Sequence, residues 1–463
     1  MRTFKRGIHP HDKKIFAADK PITPILATGD MIYPLSQHIG APAIPLVAVG
    51  DRVLAGQKIA EGQGVVSAPI HSAVSGVVSA ITYHVTSVGE NQNCIVIKND
   101  DKDEWIDDAL RPVTPDQDSL HTTAIWDTYP LESFTPAIIR QRIREAGIVG
   151  LGGAGFPAVV KLTPKDDNAI EYVLINGAEC EPYLTSDDRL MRERGQGLIR
   201  GCQLLLRLFP HAKCLIGIED NKPEAIAHLK DITAQVDRVE VCPLKAKYPQ
   251  GGERMLVYAL TGRKLNSKCL PAERGCVVVN VATTIAIFDA VVLGKPMTHR
   301  VMTITGDGVA NPCNLQVPVG MSYANVLAAA GGFAHGVTPQ KVITGGPMMG
   351  FSVFTLDIPV SKTSASILAM KQDQVAMNDT TACIRCGRCV SACPEGLLPL
   401  RLSEAADHND FETFEKYGGM ECIECGSCAF VCPAKRYLVQ SMRYGRRKTS
   451  AIIRERVQQG GGK

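Results

Sequence analysis

Two segments near the end of the chain share one pattern, CIRCGRCVSACP at 383–394 and CIECGSCAFVCP at 422–433. Both follow CxxCxxCxxxCP. Three cysteines in one tight loop can bind three corners of a [4Fe-4S] cube, while the fourth cysteine of such a repeat ligates the other cluster. Structural zinc instead uses two separate CxxC or CxxC/HxxxH pairs. The duplicated pattern therefore predicts a C-terminal two-cluster ferredoxin-like α domain.

The two predicted clusters exchange their fourth ligand between the repeats. The first ligand set is Cys383, Cys386, Cys389 and Cys432. The second ligand set is Cys422, Cys425, Cys428 and Cys393. Between the repeats, LSEAADHNDFETFEKYG at 402–418 is predicted to form a helix that sets their separation. The other cysteines show no ligand spacing and are interpreted as small buried hydrophobes.

Composition excludes several classes of protein. The chain has 463 residues, 45% of them hydrophobic, which is enough for several domains. Its net charge of +3 gives no field that would favour nucleic acid as a partner. The N-terminus MRTFKRGIHPHDKKIF lacks the apolar core of a secretory signal, so the expected compartment is the reducing cytoplasm, without disulfides. The apolar stretch 276–294 contains Asn280 and Asp289, which favours a buried strand and helix over a membrane span.

The N-terminal part, residues 1–125, is predicted to be a β sandwich-hybrid followed by a linker from about 98 to 135. Between 44 and 82, β-branched runs alternate with turn residues, as in hairpins. This stretch resembles the hammerhead of biotinyl and lipoyl carrier domains, which present a lysine at a hairpin tip. Here the matching text, SAPIHSAVSG at 67–76, has no lysine. Either His71 replaces that function or the module is scaffold; scaffold is favoured, because an isolated histidine in a turn is usually a surface residue.

Three further domains and a tail are predicted beyond the linker. Apolar runs of four to six residues alternate with amphipathic stretches over 126–300, which indicates an α/β domain with a mostly parallel sheet. Residues 301–360 are predicted to be a small α+β unit similar to β-grasp ligand-binding domains. The cluster domain takes 361–445 and begins with a polar linker, 361–381. The tail 446–463 is basic, which fits anionic lipid, an acidic partner or a solvated helix end.

A glycine-rich segment, GIVGLGGAGFPAVVKL at 147–162, is the second informative stretch. Its bare backbone lets N–H groups approach a phosphate or a flat ring. Alone it is a weak signal, since glycine-rich turns also serve structure. It is followed by INGAECEPY at 175–183, YPQGGERMLVYALTG at 248–262 and VVVNVATTI at 277–285.

In this order and approximate spacing, the four segments resemble the NADH- and FMN-binding subunit of respiratory complex I, whose text runs GRGGAGFP, NADExEP, GEE and NNVET. With the hammerhead, the β-grasp unit and two cluster motifs, the whole chain most resembles the RnfC family, the NADH-side subunit of the Rnf ferredoxin:NAD oxidoreductase complexes. The resemblance implies a multidomain α/β protein whose domain at 126–300 is Rossmann-like and binds FMN and NADH.

The resemblance also implies roles for individual residues. Along the FMN phosphate and ring lie Gly150, Gly152, Gly153, Gly155 and Lys161. Phe156 would lie against the nucleotide base. The flavin would be hydrogen-bonded by Asn176, Asn280 and Thr283. The nicotinamide and ribose side would be lined by Glu179, Glu181 and Glu253.

The chain departs from the complex I pattern at four positions. The arginine of GRGG is Leu151, and the aspartate of NADE is Ala178. The second glutamate of GEE is Arg254, and the glutamate of NVET is Ala282. These changes alter the charges expected around the dinucleotide more than those around the flavin. In an alternative interpretation, Glu179 and Glu181 simply decorate a solvent-exposed loop.

The implied function is electron transfer between NAD(H) and ferredoxin-side carriers. NADH gives up two electrons as hydride and a cluster accepts one at a time, so a flavin must stand between them. The implied partners are the other subunits of the Rnf membrane complex, including a ferredoxin-like iron-sulfur subunit and membrane flavoproteins. The implied location is peripheral, on the cytoplasmic face of the bacterial inner membrane. Two alternatives stay open: a soluble diaphorase subunit of a hydrogenase or formate dehydrogenase, and a scaffold with a decayed flavin site.

Overall fold

The computed structural model describes residues 1–112 and 130–460. Part of the predicted linker at 98–135 and the end of the predicted tail therefore lie outside the described residues. Within the described part, no helix combines the length and the apolar character needed to cross a lipid bilayer.

The N-terminal region is built from short antiparallel strands in two sheets, ordered β2-β8-β7-β4 and β3-β5-β6. Apolar side chains of both sheets, such as Ile59 and Ile95, are fully buried between them. The strands of these two sheets are β2 (Met31–Pro34), β3 (Ile44–Pro45), β4 (Arg52–Val53), β5 (Lys58–Glu61), β6 (Ile70–His71), β7 (Gly76–Val85) and β8 (Asn91–Asn99). The preceding strand, β1 (Ile22–Pro24), belongs to another sheet.

His71 is a buried strand residue, so the expectation that it lies on the surface of a turn is wrong. It belongs to β6 and is only 6% exposed. Burial, together with the nearby Lys362 and Lys58, lowers its pKa to about 3, so the imidazole is neutral at physiological pH. The structure therefore does not present His71 to solvent at a hairpin tip.

The α/β region contains a four-stranded parallel sheet in the order β11-β10-β9-β12. Strands β9, β10 and β12 contain buried apolar runs, as expected for a parallel sheet covered by helices on both faces. The strand and helix expected at 276–294 are confirmed as β12 and α7. The elements are α1 (Pro136–Glu145), α2 (Ala158–Lys161), β9 (Tyr172–Gly177), α3 (Ser186–Glu193), α4 (Gly195–Leu208), β10 (Lys213–Glu219), α5 (Pro223–Thr233), β11 (Val239–Leu244), α6 (Glu253–Thr261), β12 (Cys276–Asn280) and α7 (Val281–Val291).

The α+β unit is a six-stranded sheet that reaches beyond the predicted range 301–360. Its order is β1-β14-β13-β17-β15-β16, so an N-terminal strand forms one edge. The segment 361–381, predicted as a linker, contains the largely buried strand β17. The elements are β13 (His299–Thr305), β14 (Cys313–Pro318), α8 (Tyr323–Ala329), β15 (Lys341–Thr344), β16 (Phe351–Ser352) and β17 (Ser366–Met370).

The C-terminal region is helical, and two expectations about it need correction. The single helix predicted at 402–418 is two helices, broken at Asn409, which has a left-handed backbone (φ 59°). The predicted tail at 446–463 begins inside one long helix that packs through Met442 against Phe414. The helices are α9 (Arg388–Ala392), α10 (Pro399–Asp407), α11 (Phe411–Lys416), α12 (Ser427–Phe430) and α13 (Leu438–Gly460).

Candidate functional site

The sheet order of the α/β region identifies where a ligand would bind. Strands β10 and β11 lie on one side of β9, and β12 lies on the other, so the connections reverse direction between β9 and β12. Ligands of open parallel sheets bind beyond the carboxyl ends of the strands at such a switch point. Asn176 and Asn280 are register partners at those two ends. The structure therefore brings two predicted flavin residues side by side at this point.

Asn280 organises the local backbone with both ends of its amide. Its Oδ1 accepts hydrogen bonds from the amides of Ala282 (2.9 Å) and Thr283 (3.4 Å), which caps helix α7. Its Nδ2 donates to Asp187 Oδ2 at 2.7 Å. A Cβ atom placed on Gly152 would lie 2.9 Å from Asn280 Nδ2. Only glycine therefore lets the glycine-rich loop lie directly on this asparagine.

The glycine-rich loop is closed at its base and open at its tip. The Gly150 amide donates to Phe156 O at 2.9 Å, and the Leu151 amide donates to Thr283 Oγ1 at 2.9 Å. The tip residues 152–154 are exposed, and in the described part of the chain none of their amides donates a hydrogen bond. Gly155 needs its left-handed backbone (φ 73°) to return the chain past Thr363. Free amides beside a fixed asparagine form a donor set that fits a phosphate or a flavin ring.

Lys161 and Glu253, predicted for opposite ends of the site, contact each other. Lys161 Nζ donates to Glu253 Oε2 at 2.7 Å and to Val278 O at 3.1 Å. Their side chains keep 34% and 42% of their exposure. An ion pair this exposed holds its partners weakly, so a charged ligand could replace either of them. Asn176, in the neighbouring strand β9, donates from Nδ2 to Gly251 O at 2.8 Å. This bond connects β9 to the segment before α6.

Glu179 belongs to a buried cluster of charges behind the loop. Its Oε1 accepts from the Asp187 amide at 2.8 Å, and its Oε2 lies 3.6 Å from Lys14 Nζ. Lys14 also donates to the carbonyl oxygens of Leu184 and Glu181. Burial, with the nearby Glu179 carboxylate, raises the pKa of Asp187 to about 7. Asp187 therefore changes charge close to neutral pH, next to Asn280.

Glu181 connects the α/β region to the region of the six-stranded sheet. Its carboxylate accepts hydrogen bonds from the amides of Met348 (3.1 Å) and Met349 (2.9 Å). Burial raises the pKa of Glu181 to about 7, against the opposing effect of those two amides. Glu179 and Glu181 both have specific partners, so the alternative in which they decorate a solvent-exposed loop is wrong.

The structure gathers the cysteines of the second predicted ligand set. Burial raises the pKa of the Cys428 thiol, and the nearby Cys425, Cys422 and Cys393 raise it further. These four cysteines line one pocket between the second repeat and helices α10 and α13. A cysteine of the first repeat thus lies with three cysteines of the second. The donor set fits an iron-sulfur cube with an exchanged fourth ligand.

The cysteines of the first predicted ligand set are more open to solvent. Cys389 is buried and lies near Cys432, which together with burial raises the pKa of the Cys389 thiol. Cys383 and Cys386 are exposed. The first set therefore has two exposed cysteines, whereas every cysteine of the second set is buried or partly buried.

Tight contacts connect the cluster region to the flavin-site elements. Tyr248, which precedes helix α6, donates its hydroxyl proton to Cys425 O at 2.6 Å. Arg254, which replaces a glutamate of the complex I pattern, forms ion pairs with Glu421 (3.0 Å) and Glu395 (3.2 Å) of the cluster region. This departure therefore has a structural reason, because the arginine binds the cluster region to the first turn of α6.

Several residues of the site were not found from the sequence. Lys362 is fully buried, and its Nζ donates to Pro69 O at 2.6 Å and Gly147 O at 2.7 Å. Lys362 therefore connects the start of the glycine-rich segment, at Gly147, to Pro69 of the N-terminal region. Arg300 fixes the middle of the loop by donating from Nη2 to Leu151 O at 2.6 Å. Neither residue lies in a motif, so only the three-dimensional structure identifies them.

Four family models match successive parts of the chain. They are described as the RnfC barrel sandwich hybrid domain (residues 2–102), the Nuo51 FMN-binding domain (143–289), the SLBB domain (301–352) and a 4Fe-4S dicluster domain (382–436). The FMN-binding and dicluster models confirm the cofactors predicted from the sequence, FMN and two [4Fe-4S] clusters. They also confirm the multidomain organisation.

Full-length relatives decide the family. The chain is 43% identical to the C subunit of the proton-translocating ferredoxin:NAD(+) oxidoreductase complex of Clostridium ljungdahlii, over 96% of this chain and 93% of the relative. It is 40% identical to the C subunit of the Na(+)-translocating ferredoxin:NAD(+) oxidoreductase complex of Acetobacterium woodii, over 98% of each. The chain belongs to the RnfC family. The predicted resemblance is therefore confirmed, and with it an electron-transfer role as the RnfC component of an ion-translocating oxidoreductase complex.

Other relatives differ in length or identity. The corresponding component of the ion-translocating oxidoreductase complex of Yersinia enterocolitica is 38% identical over 88% of this chain, which covers 57% of that longer relative. Among solved structures, that of the NAD+-reducing [NiFe]-hydrogenase in the air-oxidized state matches with a TM-score of 0.52. It is 20% identical, and the match covers 74% of this chain and 65% of that one. At this identity the likeness concerns the fold alone.

Proposed function

We propose that the chain exchanges electrons between NAD(H) and ferredoxin-side carriers through FMN and two [4Fe-4S] clusters. The observation that carries this proposal is the direct contact between the two kinds of site. Tyr248 binds Cys425 O, and Arg254 binds two carboxylates of the cluster region. These contacts join the switch-point site at Asn176 and Asn280 to the buried set of cysteines without a flexible linker.

At the switch point, the residues would hold FMN by hydrogen bonding and charge. The free amides at 152–154 and the Lys161 ammonium are the donors available to a phosphate. Asn280 and Thr283 fix the loop against the sheet edge. The bound flavin supplies the conversion between hydride transfer and single-electron transfer. The chain contributes orientation, and its buried charges set the local field.

Glu179, Glu181 and Glu253 are proposed for the dinucleotide side, with different roles. Glu253 is partly exposed and can contact a ligand directly once Lys161 turns to the flavin phosphate. Glu179 and Glu181 act indirectly, by positioning the backbone: they accept hydrogen bonds from the Asp187 amide and from the amides of Met348 and Met349. Phe156, partly exposed at the end of the loop, is proposed to lie against the nucleotide base.

The order of the clusters follows from burial. In the set of the second motif, Cys393 and Cys425 are buried and Cys422 and Cys428 are partly buried, whereas Cys383 and Cys386 of the other set are exposed. The less exposed cysteines would hold the cluster nearer the flavin-site elements, and Cys383 and Cys386 would hold part of the cluster that is open to an external carrier. We propose that the exposed cluster is the exchange point with other subunits, including a ferredoxin-like iron-sulfur subunit and membrane flavoproteins.

Finer features of the fold and the location are proposed on the same basis. The strand order with its switch point supports a Rossmann-like fold for the FMN domain, and the sheet around α8 supports a β-grasp fold. Membership of an ion-translocating complex supports a peripheral position on the cytoplasmic face of the bacterial inner membrane. The proposed domain ranges are 1–125, 126–300, 301–360 with β1 and β17 added to its sheet, 361–445 and 446–463.

Cofactor analysis of the anaerobically purified chain tests the proposal. We expect one FMN and about eight irons per chain, as two four-iron clusters require. Iron without flavin would contradict the proposal and support a scaffold with a decayed flavin site. Flavin without iron would remove the route from the flavin to other subunits.

A further inference from the structure

The two cysteine motifs have the same local conformation but different surroundings. Arg385 and Glu424 occupy equivalent positions with φ of 55° and 57°, and the glycines that follow by two residues, Gly387 and Gly426, have φ of 75° and 80°. Each amide at the first pair of positions donates to the first cysteine of its own motif at 3.4 Å. The motifs are therefore two copies of one loop, and their outer faces can be compared position by position.

The outer face of the second copy is covered by the flavin-site elements. Ile423 packs in a cluster with Tyr248 and Met348. The Cys425 carbonyl accepts the Tyr248 hydroxyl proton, and a Cβ on Gly426 would lie 3.0 Å from Met348 O. Through this face the second copy contacts Tyr248 and Met348.

The outer face of the first copy is open. Ile384, which corresponds to Ile423, is 66% exposed. Cys386, which corresponds to buried Cys425, is exposed. A Cβ on Gly387 would have no atom of the described chain within 4 Å. The first copy therefore presents to solvent the same face that the second copy packs against the rest of the chain.

The charge on the two faces also differs. In the second copy, Glu424 is neutralised by Arg443 and Arg446. In the first copy the same position is Arg385, which is exposed and has no carboxylate within 4 Å in the described part of the chain. Arg388 is likewise exposed and without such a partner, where the second copy has the buried Ser427.

A third exposed cation lies beside this face. Lys435 follows Ala434, whose carbonyl accepts a hydrogen bond from Thr381 two residues before the first cysteine of the motif. One carboxylate, Asp379, precedes the motif along the chain. The face thus consists of an apolar centre at Ile384 with an excess of positive charge around it.

We propose that the face around Ile384, Arg385 and Arg388 is a docking surface for an acidic electron-carrier protein. This proposal rests on the proposed function, since it names the kind of partner that the exposed cluster serves. The electron-transfer step moves one electron between the exposed cluster and the redox centre of the partner, so one is oxidised as the other is reduced and no bond is formed. Small, charged and transient interfaces are typical of such exchanges.

Charge complementarity selects an acidic protein as the occupant. Unpaired guanidinium groups around an apolar centre attract carboxylates over a Debye length and orient the approaching partner. A protein partner also explains the exposed Ile384 beside the cluster ligands, because electron transfer needs close approach at this point. An anionic lipid surface would use the positive charge but carries no redox centre to receive the electron.

Exchanging the first motif for the second tests the proposal within the chain's own sequence. In R385E/R388S the loop becomes CIECGSC, a sequence that this fold already accommodates in the second copy. The matched control K98E/K230S makes the same change in net charge at two exposed lysines of other regions. All proteins are purified anaerobically, and equal iron content shows that both clusters are intact.

Binding is measured with an oxidised, fluorescently labelled, acidic plant-type [2Fe-2S] ferredoxin by anisotropy. At an ionic strength of about 0.01 M, where the Debye length is about 30 Å, we expect R385E/R388S to raise the Kd roughly tenfold or more. We expect the control to stay within about twofold of the unchanged chain, and the difference to shrink at about 0.15 M.

Three results would overturn the proposal. They are absence of binding to the unchanged chain, equal binding by R385E/R388S, and equal weakening by K98E/K230S. A fourth measurement addresses lipid: if R385E/R388S loses binding to phosphatidylglycerol vesicles but keeps ferredoxin binding, the face is a membrane contact instead. Because the assay uses no NADH and no electron transfer, its failure is distinct from failure of the proposed function, which cofactor analysis tests.

Discussion

Replacing Asn280 with alanine is expected to remove FMN binding and to loosen helix α7. The change removes the cap of α7, which costs about 0.5–2 kcal/mol. It also leaves the buried Asp187 Oδ2 without the donor that lies 2.7 Å away, which costs about 1–3 kcal/mol. The pKa of Asp187 is already raised to about 7, so this carboxyl is protonated at acidic pH. The loss of stability is then expected to lie toward the lower end of this range.

The matched control is Ser322→Ala, which removes an N-cap without touching the flavin site. Ser322 Oγ accepts from the Asn325 amide at 3.2 Å and caps helix α8. Hydrogen exchange measures the local opening free energy of each helix. We expect N280A to lower the opening free energy of α7 by about 1–3 kcal/mol more than S322A lowers that of α8. We also expect N280A to lose FMN and S322A to retain it. The reasoning would be refuted if N280A retained FMN and lost no more opening free energy than S322A.

Two further predictions concern a buried lysine and the cluster ligands. Burial lowers the pKa of Lys362 to about 7, so between pH 7 and 10.5 the unfolded chain binds one more proton and stability rises with pH. This rise in the free energy of unfolding is about 1.4 kcal/mol per pH unit. In K362M the rise should be absent, so the thermal unfolding midpoint should increase less with pH than in the unchanged chain. An unchanged pH profile would contradict the burial of a titrating amine. For the ligands, C383A/C393A should lose both clusters, whereas C383A/C432A should keep about four irons. Equal iron in the two double variants would refute the exchanged fourth ligand.

The sequence predicted features that depend on neighbouring residues. The spacing of the cysteines places three thiols in one loop and predicts that the other repeat supplies the fourth. The structure places Cys393 near the three cysteines of the second motif, and their role as ligands stays a prediction. The asparagine at the end of an apolar run, Asn280, marks both a strand end and a helix cap. Such local patterns carry their own structural meaning.

Features that depend on distant residues could not be predicted. Lys362 binds Pro69 O and Gly147 O, which are more than 200 residues away in sequence. A single lysine in a polar segment gives no indication that it is buried. Strand β17 was predicted as part of a linker because the text around it is polar, although β13 and β15 enclose it. Arg254 resembled a lost acidic ligand until its two ion pairs with the cluster region were visible.

Anaerobic EPR after addition of NADH tests the central claim most directly. If FMN at the switch point is connected to both sets of cysteines, NADH alone should produce reduced [4Fe-4S] signals in a chain that holds one FMN and about eight irons. Clusters that dithionite reduces but NADH leaves oxidised, in a chain with full flavin content, would contradict an electron route from NAD(H) through FMN to the clusters.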